Sequence, residues 1–370
     1  YPFVRLEQAK RRLQARGVDL IDFGKGDPRE PTEPFIRQAL VDALPEVAPY
    51  PLAEGLSELR AAVAAWCERR FGVAVDPDTE VVPTYGSKEA IFHLAQVALD
   101  RESDKRLVIT TEPGYPVPER GALFAGGEVV QVPLLEENGF LPDLDAIDAG
   151  TWERAAILWL NYPNNPTGAV APLSFLREAA ARAAEHGVLL AADEAYTELW
   201  FEEPPHSALE VRELGPVTVF NTLSKRSSMT GYRSGFVVAD AELIAALKQY
   251  RPTVGTAPQE FVQRASVAAW DDEAHVERTR ERYRRKRDVL LPALERKGIR
   301  VAGSAATMYL WLEAPPGETS EELAERLLER GVIVSPGTFF GPAGDGYWRI
   351  ALVPTFEECE RAAAILEDVL

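Results

Sequence analysis

Residues 188–193 read Val188-Leu189-Leu190-Ala191-Ala192-Asp193, an apolar run that ends in a carboxylate. A short, continuous apolar run is typical of a strand buried on both faces. Similar runs alternate with helical stretches from about residue 80 to 240, the other strand candidates being 81–85, 107–111, 128–132, 155–160, 217–221 and 235–239. This alternation predicts an α/β fold in which a mainly parallel, seven-stranded sheet lies between helices. In such sheets ligands bind beyond the carboxyl ends of the strands, which is where Asp193 stands.

The pattern changes after Pro252, where a long charged helix over about 274–295 is followed by isolated strands and shorter helices. Strands are predicted at 307–312, 332–335 and 348–352, and helices at 320–329 and 355–369. We therefore predict three segments. Residues 1–45 form an N-terminal arm and part of a small domain, 46–252 form the large domain with the ligand crevice, and 253–370 form the C-terminal small α+β domain.

Composition excludes several classes of partner. The 370 residues include 58 acidic and 40 basic side chains, giving a formal net charge of −18. Such a field repels phosphate backbones and anionic lipid, so neither nucleic acid nor a membrane surface is expected as a partner. Cys67 and Cys359 stand alone, which suggests neither a disulfide framework nor a metal site and favours a cytoplasmic location.

Two strings carry residues suited to covalent chemistry. Lys225 follows a predicted strand in Asn221-Thr222-Leu223-Ser224-Lys225, and a lysine there can attack an aldehyde if burial and nearby positive charge destabilise its ammonium form. Arg233, beyond a glycine that can turn the chain, is suited to hold a phosphate with two hydrogen bonds. Asp193 would keep an aromatic ring nitrogen protonated, although an aspartate after a strand is also a common helix N-cap.

Two further strings lie at strand ends. The stretch Asn161-Tyr162-Pro163-Asn164-Asn165-Pro166-Thr167-Gly168 reads as a turn, from which Asn165 can donate to a ring oxygen. Gly86, in Thr84-Tyr85-Gly86-Ser87-Lys88, permits close backbone approach, and the free N–H groups of the following helix can bind a phosphate. A dinucleotide loop at Gly24-Lys25-Gly26 is rejected because Arg29 occupies the position of the third glycine.

Taken in order along the chain, these strings resemble the class I/II (fold type I) pyridoxal-phosphate-dependent aminotransferases. The resemblance implies that Lys225 is the Schiff-base lysine, that Asp193 binds the pyridine nitrogen and that Tyr196 acts in catalysis and, with Asn165, binds the ring oxygen. It implies that the ring of Tyr115 stacks on the cofactor and that Tyr50 reaches the phosphate in a partner subunit. The phosphate ligands that it implies are Gly86, Ser87, Lys88, Thr222, Ser224 and Arg233. A homodimer with shared active sites follows from the match at Tyr50.

The same resemblance assigns the substrate contacts and the reaction. Arg349, in Trp348-Arg349-Ile350, matches the arginine that binds the substrate α-carboxylate, and Asn165, Lys25 and Gly26 fall where the substrate would lie. The implied reaction moves an amino group between an amino acid and a 2-oxo acid, with freed Lys225 transferring the α-proton. Lys25 departs from the small or apolar residue usual in the family. Together with Arg29, Lys88 and Arg226, it is a candidate for binding a distal carboxylate, although Arg29 and Arg226 also fit ordinary surface charges.

Short strings around Lys25 and Lys88 look most like succinyldiaminopimelate aminotransferases of lysine and diaminopimelate biosynthesis, which use N-succinyl-LL-diaminopimelate with 2-oxoglutarate and glutamate. The alternatives are a general aspartate, alanine or aromatic aminotransferase and an LL-diaminopimelate aminotransferase. Pyridoxal-phosphate-dependent C–S lyases and cyclising lyases share the lysine and the aspartate, so the motifs do not exclude them. A non-catalytic sensor with this fold is disfavoured because we find no added DNA-binding segment.

Overall fold

The computed structural model describes residues 2–15 and 17–370. Its helices are α1 (Pro2–Ala15), α2 (Pro34–Asp42), α3 (Ser57–Phe71), α4 (Gly86–Ala98), α5 (Val117–Ala125), α6 (Ala149–Arg154), α7 (Leu173–Glu185), α8 (Leu223–Arg226), α9 (Ala241–Thr253), α10 (Glu260–Trp270), α11 (Ala274–Arg296), α12 (Ser320–Glu329) and α13 (Phe356–Val369). Its strands are β1 (Ile21–Asp22), β2 (Val81–Thr84), β3 (Leu107–Glu112), β4 (Glu128–Pro133), β5 (Ala155–Asn161), β6 (Leu189–Asp193), β7 (Val217–Thr222), β8 (Gly235–Val238), β9 (Val301–Gly303), β10 (Tyr309–Glu313), β11 (Val332–Ile333), β12 (Ser335–Pro336) and β13 (Tyr347–Ala351).

The seven-stranded, mainly parallel sheet predicted from the sequence is confirmed. Its strand order is β2-β8-β7-β6-β5-β3-β4, and β8 is the strand antiparallel to both of its neighbours. Strands β5, β6 and β7 are parallel neighbours, with Asn161 opposite Asp193 at their carboxyl ends. The functional side chains of three strands are therefore brought to one edge of the sheet.

Side chains of successive strand residues pack against different layers of helices, as the two-residue period of a strand requires. In β5, Leu158 and Leu160 belong to the same core cluster as buried residues of α3, α7 and α10. Ile157 and Trp159 belong instead to the cluster formed with α4, α5 and α9. Both faces of the sheet are covered, which explains why its strands read as continuous apolar runs.

The N-terminal segment pairs with the C-terminal part of the chain. Strand β1 pairs in parallel with β11, and an antiparallel sheet of order β12-β13-β10-β9 lies beside this pair. The single strand predicted at 332–335 is wrong in one respect: Val332–Ile333 pairs with β1, whereas Ser335–Pro336 pairs with β13. The chain changes sheets at Val334, a change that a uniform apolar run does not reveal.

Helix α10 packs against α2 and α3 beneath the large sheet, where Ala265, Ala269 and Trp270 are fully buried. The segment boundaries 1–45, 46–252 and 253–370 stay a prediction. Among the described residues, no helix combines the length and the apolarity needed to cross a membrane.

Candidate active site

The carboxyl ends of the central strands open into a cavity of about 680 Å³. It brings together most of the residues that the sequence predicts for the site, namely Lys25, Gly26, Ser87, Lys88, Tyr115, Asn165, Asp193, Tyr196, Thr222, Ser224, Lys225, Arg233 and Arg349. Gly86 lies at its margin against the guanidinium of Arg233. These residues come from distant parts of the chain, so the sheet edge and the small domain build the site jointly.

Lys225 lies in the short helix α8, immediately after β7. Its ammonium group donates a hydrogen bond to the backbone carbonyl of Gly26. Burial lowers the pKa of Lys225 from 10.5 to about 8, Asp27 opposes the shift, and Arg349, Arg233 and Lys88 add to it. About one-tenth of this side chain is therefore the neutral, nucleophilic amine at pH 7, a far larger share than for an ordinary lysine.

Asp193 ends β6 and is 5% exposed. Burial raises its pKa to about 7, and the Ala195 N–H, which donates to Oδ1 at 3.2 Å, opposes that shift. Among the described residues, this N–H is the one donor to the carboxylate. A positively charged N–H facing the carboxylate from the cavity would favour its ionised form.

Gly86, Thr222, Ser224 and Arg233 lie where three strands end. The guanidinium of Arg233 donates from Nη2 to the Tyr85 carbonyl at 3.1 Å, and a Cβ added to Gly86 would lie 2.7 Å from that nitrogen. Gly86 also has a positive φ of 66°, which side chains disfavour. The hydroxyls of Thr222 and Ser224 are 2.9 Å apart. Hydroxyl donors, a guanidinium and the N-terminus of α4 together make a cradle suited to a phosphate.

Arg349 is buried in β13 and lines the same cavity. Its Nη1 donates to Asn165 Oδ1 at 2.8 Å and its Nη2 to the Gly24 carbonyl at 3.0 Å, while its buried Nε has no hydrogen-bond partner among the described residues. The guanidinium carbon lies 4.2 Å from the ring centroid of Tyr309 and 4.4 Å from that of Phe340. Two planar donors between aromatic faces suit a carboxylate.

Tyr309 was not singled out by sequence reasoning. Its hydroxyl lies 2.8 Å from the Tyr196 hydroxyl, and its ring lines the cavity below Gly26, where an added Cβ would come within 2.0 Å of the Tyr309 oxygen. Burial raises the pKa of Tyr196 well above its usual range, so Tyr196 stays a hydrogen-bond donor at neutral pH. Tyr309 belongs to an apolar strand without a local motif, and the pairing of β10 with β13 brings it to the site.

Three charged or aromatic candidates lie elsewhere. Arg29 forms a surface ion pair with Glu358, and buried Arg226 pairs with Glu273 and lies over the Trp270 ring, so neither lines the cavity. Tyr50 is 100% exposed and does not line the cavity of its own chain. An exposed tyrosine in this position is available to another subunit.

The residues that line the cavity indicate which ligand fits it. Thr222, Ser224 and Arg233 of the phosphate cradle line it together with Asp193, Lys225 and Tyr115. Burial raises the pKa of the Tyr115 hydroxyl, which remains neutral. These groups fit a phosphorylated aromatic aldehyde whose ring nitrogen carries a proton.

Comparison with known proteins agrees with this chemistry. The chain is 41% identical to an LL-diaminopimelate aminotransferase of Oleidesulfovibrio alaskensis, over 98% of this chain and 95% of that protein. It is 42% identical to an LL-diaminopimelate aminotransferase of Nitratidesulfovibrio vulgaris, over 100% and 96%. The solved structure of a probable N-succinyldiaminopimelate aminotransferase from Thermus thermophilus has a TM-score of 0.92 at 34% identity, over 100% of both chains.

The family model described as aminotransferase class I and II matches residues 18–366, a range that contains every predicted site residue. This chain belongs to the class I and II aminotransferases.

Proposed function

We propose that this aminotransferase binds pyridoxal 5'-phosphate through Lys225 and uses it to move an amino group between LL-diaminopimelate and a 2-oxo acid such as 2-oxoglutarate. The observation that carries the cofactor assignment is the placement of Lys225, Asp193 and Arg349 around one cavity. A lysine, a carboxylate and a carboxylate-binding arginine are the groups that amino-group transfer on an aldehyde cofactor requires.

Each residue predicted to bind the cofactor has a proposed contact. The phosphate is held by the cradle, and Asp193 accepts from the ring N–H. Tyr196 and Asn165 bind the ring oxygen, and Tyr115 stacks on the ring. Tyr50 reaches the phosphate from a partner subunit, which makes the enzyme a homodimer. The proposed phosphate ligands are Gly86, Ser87, Thr222, Ser224 and Arg233. Lys88, which the family resemblance also places at the phosphate, lies near the Tyr115 ring and is assigned below to the substrate.

The bound cofactor supplies an electron sink for the carbanion that forms when the substrate α-carbon loses its proton. Arg349 orients the substrate by two hydrogen bonds to its carboxylate, replacing those it makes to Asn165 and Gly24. The neutral Nζ of Lys225 would accept the α-proton as a general base and would then donate it to the cofactor carbon as a general acid. Asp193 keeps the ring nitrogen protonated throughout.

The substrate assignment is supported by the two LL-diaminopimelate aminotransferases that share 41% and 42% of residues with this chain across nearly their whole length. The cavity wall also carries Lys25 and Lys88, in addition to Lys225, Arg233 and Arg349. Because Lys225, Arg233 and Arg349 are assigned to the cofactor and the α-carboxylate, Lys25 and Lys88 are the cations for a second carboxylate.

N-succinyl-LL-diaminopimelate is the second candidate donor. It is supported by the Thermus thermophilus structure and by the sequence strings around Lys25 and Lys88. Both substrates present a carboxylate at the far end, so Lys25 and Lys88 suit either.

A donor screen tests the proposal. Purified enzyme with added pyridoxal phosphate is given LL-diaminopimelate, N-succinyl-LL-diaminopimelate, aspartate or an aromatic amino acid, each with and without 2-oxoglutarate, and glutamate and ammonia are measured. We expect glutamate from LL-diaminopimelate when 2-oxoglutarate is present. Sustained ammonia release without any oxo acid would identify a lyase, and turnover of the succinylated donor alone would assign the second candidate.

A further inference from the structure

A second cavity of about 250 Å³ borders the active-site cavity. The two share a wall made of Tyr115, Pro116, Phe339 and Phe340. We call the smaller one the side pocket; its remaining lining residues are Thr110, Thr111, Glu112, Gly114, Glu119, Gln131, Gly341 and Pro342. The side pocket therefore lies directly beside the active-site cavity, and a long substrate would reach it past these four side chains.

The two cavities carry opposite charge. Five lysines and arginines line the main cavity, with Asp193 as its one carboxylate among the described residues. The residues that line the side pocket include Glu112 and Glu119 and contain neither lysine nor arginine. A cation is thus favoured in the side pocket and an anion in the main cavity.

The two glutamates differ in what they already bind. Glu112 accepts a hydrogen bond from the Ala343 N–H at 2.7 Å and packs against Gly341, so it holds the loop of the small domain. Glu119, half-buried in the first turn of α5, has no hydrogen bond or ion pair with any described residue. Thr110 in the same wall is 6% exposed, and its Oγ1 has no partner within the described part of the chain. The side pocket therefore holds polar groups that the protein itself does not satisfy, and such groups favour a polar ligand.

Resting on the proposed function, we infer that the side pocket binds the distal ammonium group of a diamino acid substrate, with Glu119 as its counter-ion. Lys88 lies 5.8 Å from the ring centroid of Tyr115, at the boundary of the two cavities, where it can bind the carboxylate on the same distal carbon. The positive charge of Lys88 complements the distal carboxylate of the substrate, and the negative charge of Glu119 complements its distal ammonium group. An N-succinylated end has a neutral amide nitrogen and an added carboxylate that Glu119 would repel.

The test compares two donors that differ by this one group. LL-diaminopimelate and L-2-aminopimelate share a carbon chain and both carboxylates, but the second lacks the distal amino group. We expect Glu119→Gln to lower kcat/KM for LL-diaminopimelate by about 10-fold, the loss typical of one hydrogen-bonded charge pair, and to leave kcat/KM for L-2-aminopimelate unchanged. Glu119→Asp, which keeps the charge, should restore part of the preference.

Glu242→Gln is the matched control, because Glu242 also lies in a first helical turn, in α9, and lines neither cavity. An acidic residue in a first turn also stabilises its helix. If that were the role of Glu119, both glutamine variants would lower the melting temperature alike and leave donor preference intact, which would overturn the inference.

If the wild-type enzyme uses neither pimelate donor, the proposed substrate is wrong and the side pocket is tested separately. L-lysine and L-norleucine differ by the same distal ammonium group. A wild-type preference for lysine that Glu119→Gln abolishes would support the ammonium site, and equal use of the two donors by the wild-type enzyme would refute it.

Discussion

At the scale of single residues, the site depends on burying groups that are normally charged. Lys225 and Asp193 both line the cavity, and burial moves their pKa values toward neutrality, to about 8 and about 7. Both pKa shifts favour the neutral form of the side chain. A negatively charged ligand group near Lys225, or a positively charged one near Asp193, would favour the charged form instead. A buried lysine and a buried carboxylate on one cavity therefore suit the proposed reaction with an aldehyde whose ring nitrogen carries a proton.

Because the pKa of Lys225 is lowered, we expect the reaction of the protein with pyridoxal phosphate to depend on pH. The neutral amine is the nucleophile, and its fraction rises from about one-tenth at pH 7 to about nine-tenths at pH 9 for a pKa near 8. We expect the rate at which the protein takes up added pyridoxal phosphate, followed by absorbance, to rise about tenfold over this range and then level. A rate that continues to climb tenfold per unit beyond pH 9 would show an ordinary lysine.

Two variants control this experiment. Asp193→Asn removes the titration of the Asp193 carboxyl group and should leave unchanged the pH at which the uptake rate reaches half of its maximum. Lys225→Ala should keep the fold by circular dichroism, abolish the absorbance change and lower transamination by at least about 10⁴-fold, the upper range for a single general base. Lys297→Ala, at the exposed end of α11, should behave as wild type.

At the scale of secondary-structure elements, strand ends and helix starts position the side chains that line the cavity. The strands of the large sheet were predicted from the sequence because strands buried on both faces read as apolar runs, and most of the predicted site residues lie together at one edge of that sheet. Their roles toward a cofactor stay a prediction. Tyr309 and the break of the predicted strand at Val334 were missed. Both depend on which strands of the small domain pair, and pairing between distant segments leaves no local pattern in the sequence.

Gly86, at the start of α4, provides a test at this scale. Gly86→Ala should cost about 1 kcal/mol of stability from its positive φ and should also push the Arg233 guanidinium out of the cradle, since the new Cβ would lie 2.7 Å from Nη2. We expect the dissociation constant for pyridoxal phosphate to rise by at least about tenfold, the loss of one charge-assisted hydrogen bond.

Gly72→Ala separates the two effects. Gly72, the C-cap of α3, has a φ of 68°, and nothing lies within 4 Å of an added Cβ. It should lose similar stability in thermal unfolding and keep cofactor affinity in equilibrium titration. Equal cofactor affinity in the two variants would remove the steric role assigned to Gly86.

At the scale of the whole molecule, several large apolar side chains remain exposed between Val41 and Leu52, with Val254 as another. Tyr50 lies within this segment and has no contact with the cavity of its own chain. Exposed apolar side chains of this kind support the proposed homodimer, because apolar surface patches are frequent at protein interfaces. The family resemblance at Tyr50 predicts the second subunit, whereas the exposure of these side chains by itself does not identify a partner.

The proposed sharing of active sites between two subunits can be tested with hybrid dimers. If the enzyme is a homodimer, co-expression of Tyr50→Ala chains with Lys225→Ala chains yields hybrids in which one site has an intact lysine and receives an intact tyrosine from the other subunit. We expect such mixtures to show transamination well above either parent, measured after purification through two different affinity tags.

Pairing Lys225→Ala with Asp193→Ala is the control, because both residues belong to the same chain's site and no hybrid then holds a complete one. Recovery of activity in the control mixture, or its absence in the test mixture, would count against a shared site.

The link between β1 and the small domain has a mechanical consequence. Phe23 donates to the Ile333 carbonyl and accepts from the Ala351 N–H, and the next carbonyl, that of Gly24, accepts from Ser335 and Arg349. Residues 23 and 24 are thus hydrogen-bonded to β11, β12 and β13, and β13 carries Arg349. Because several of these bonds do not involve the Arg349 side chain, a displacement of β13 would carry the neighbouring Lys25 and Gly26 with it and alter the shape of the cavity that they line.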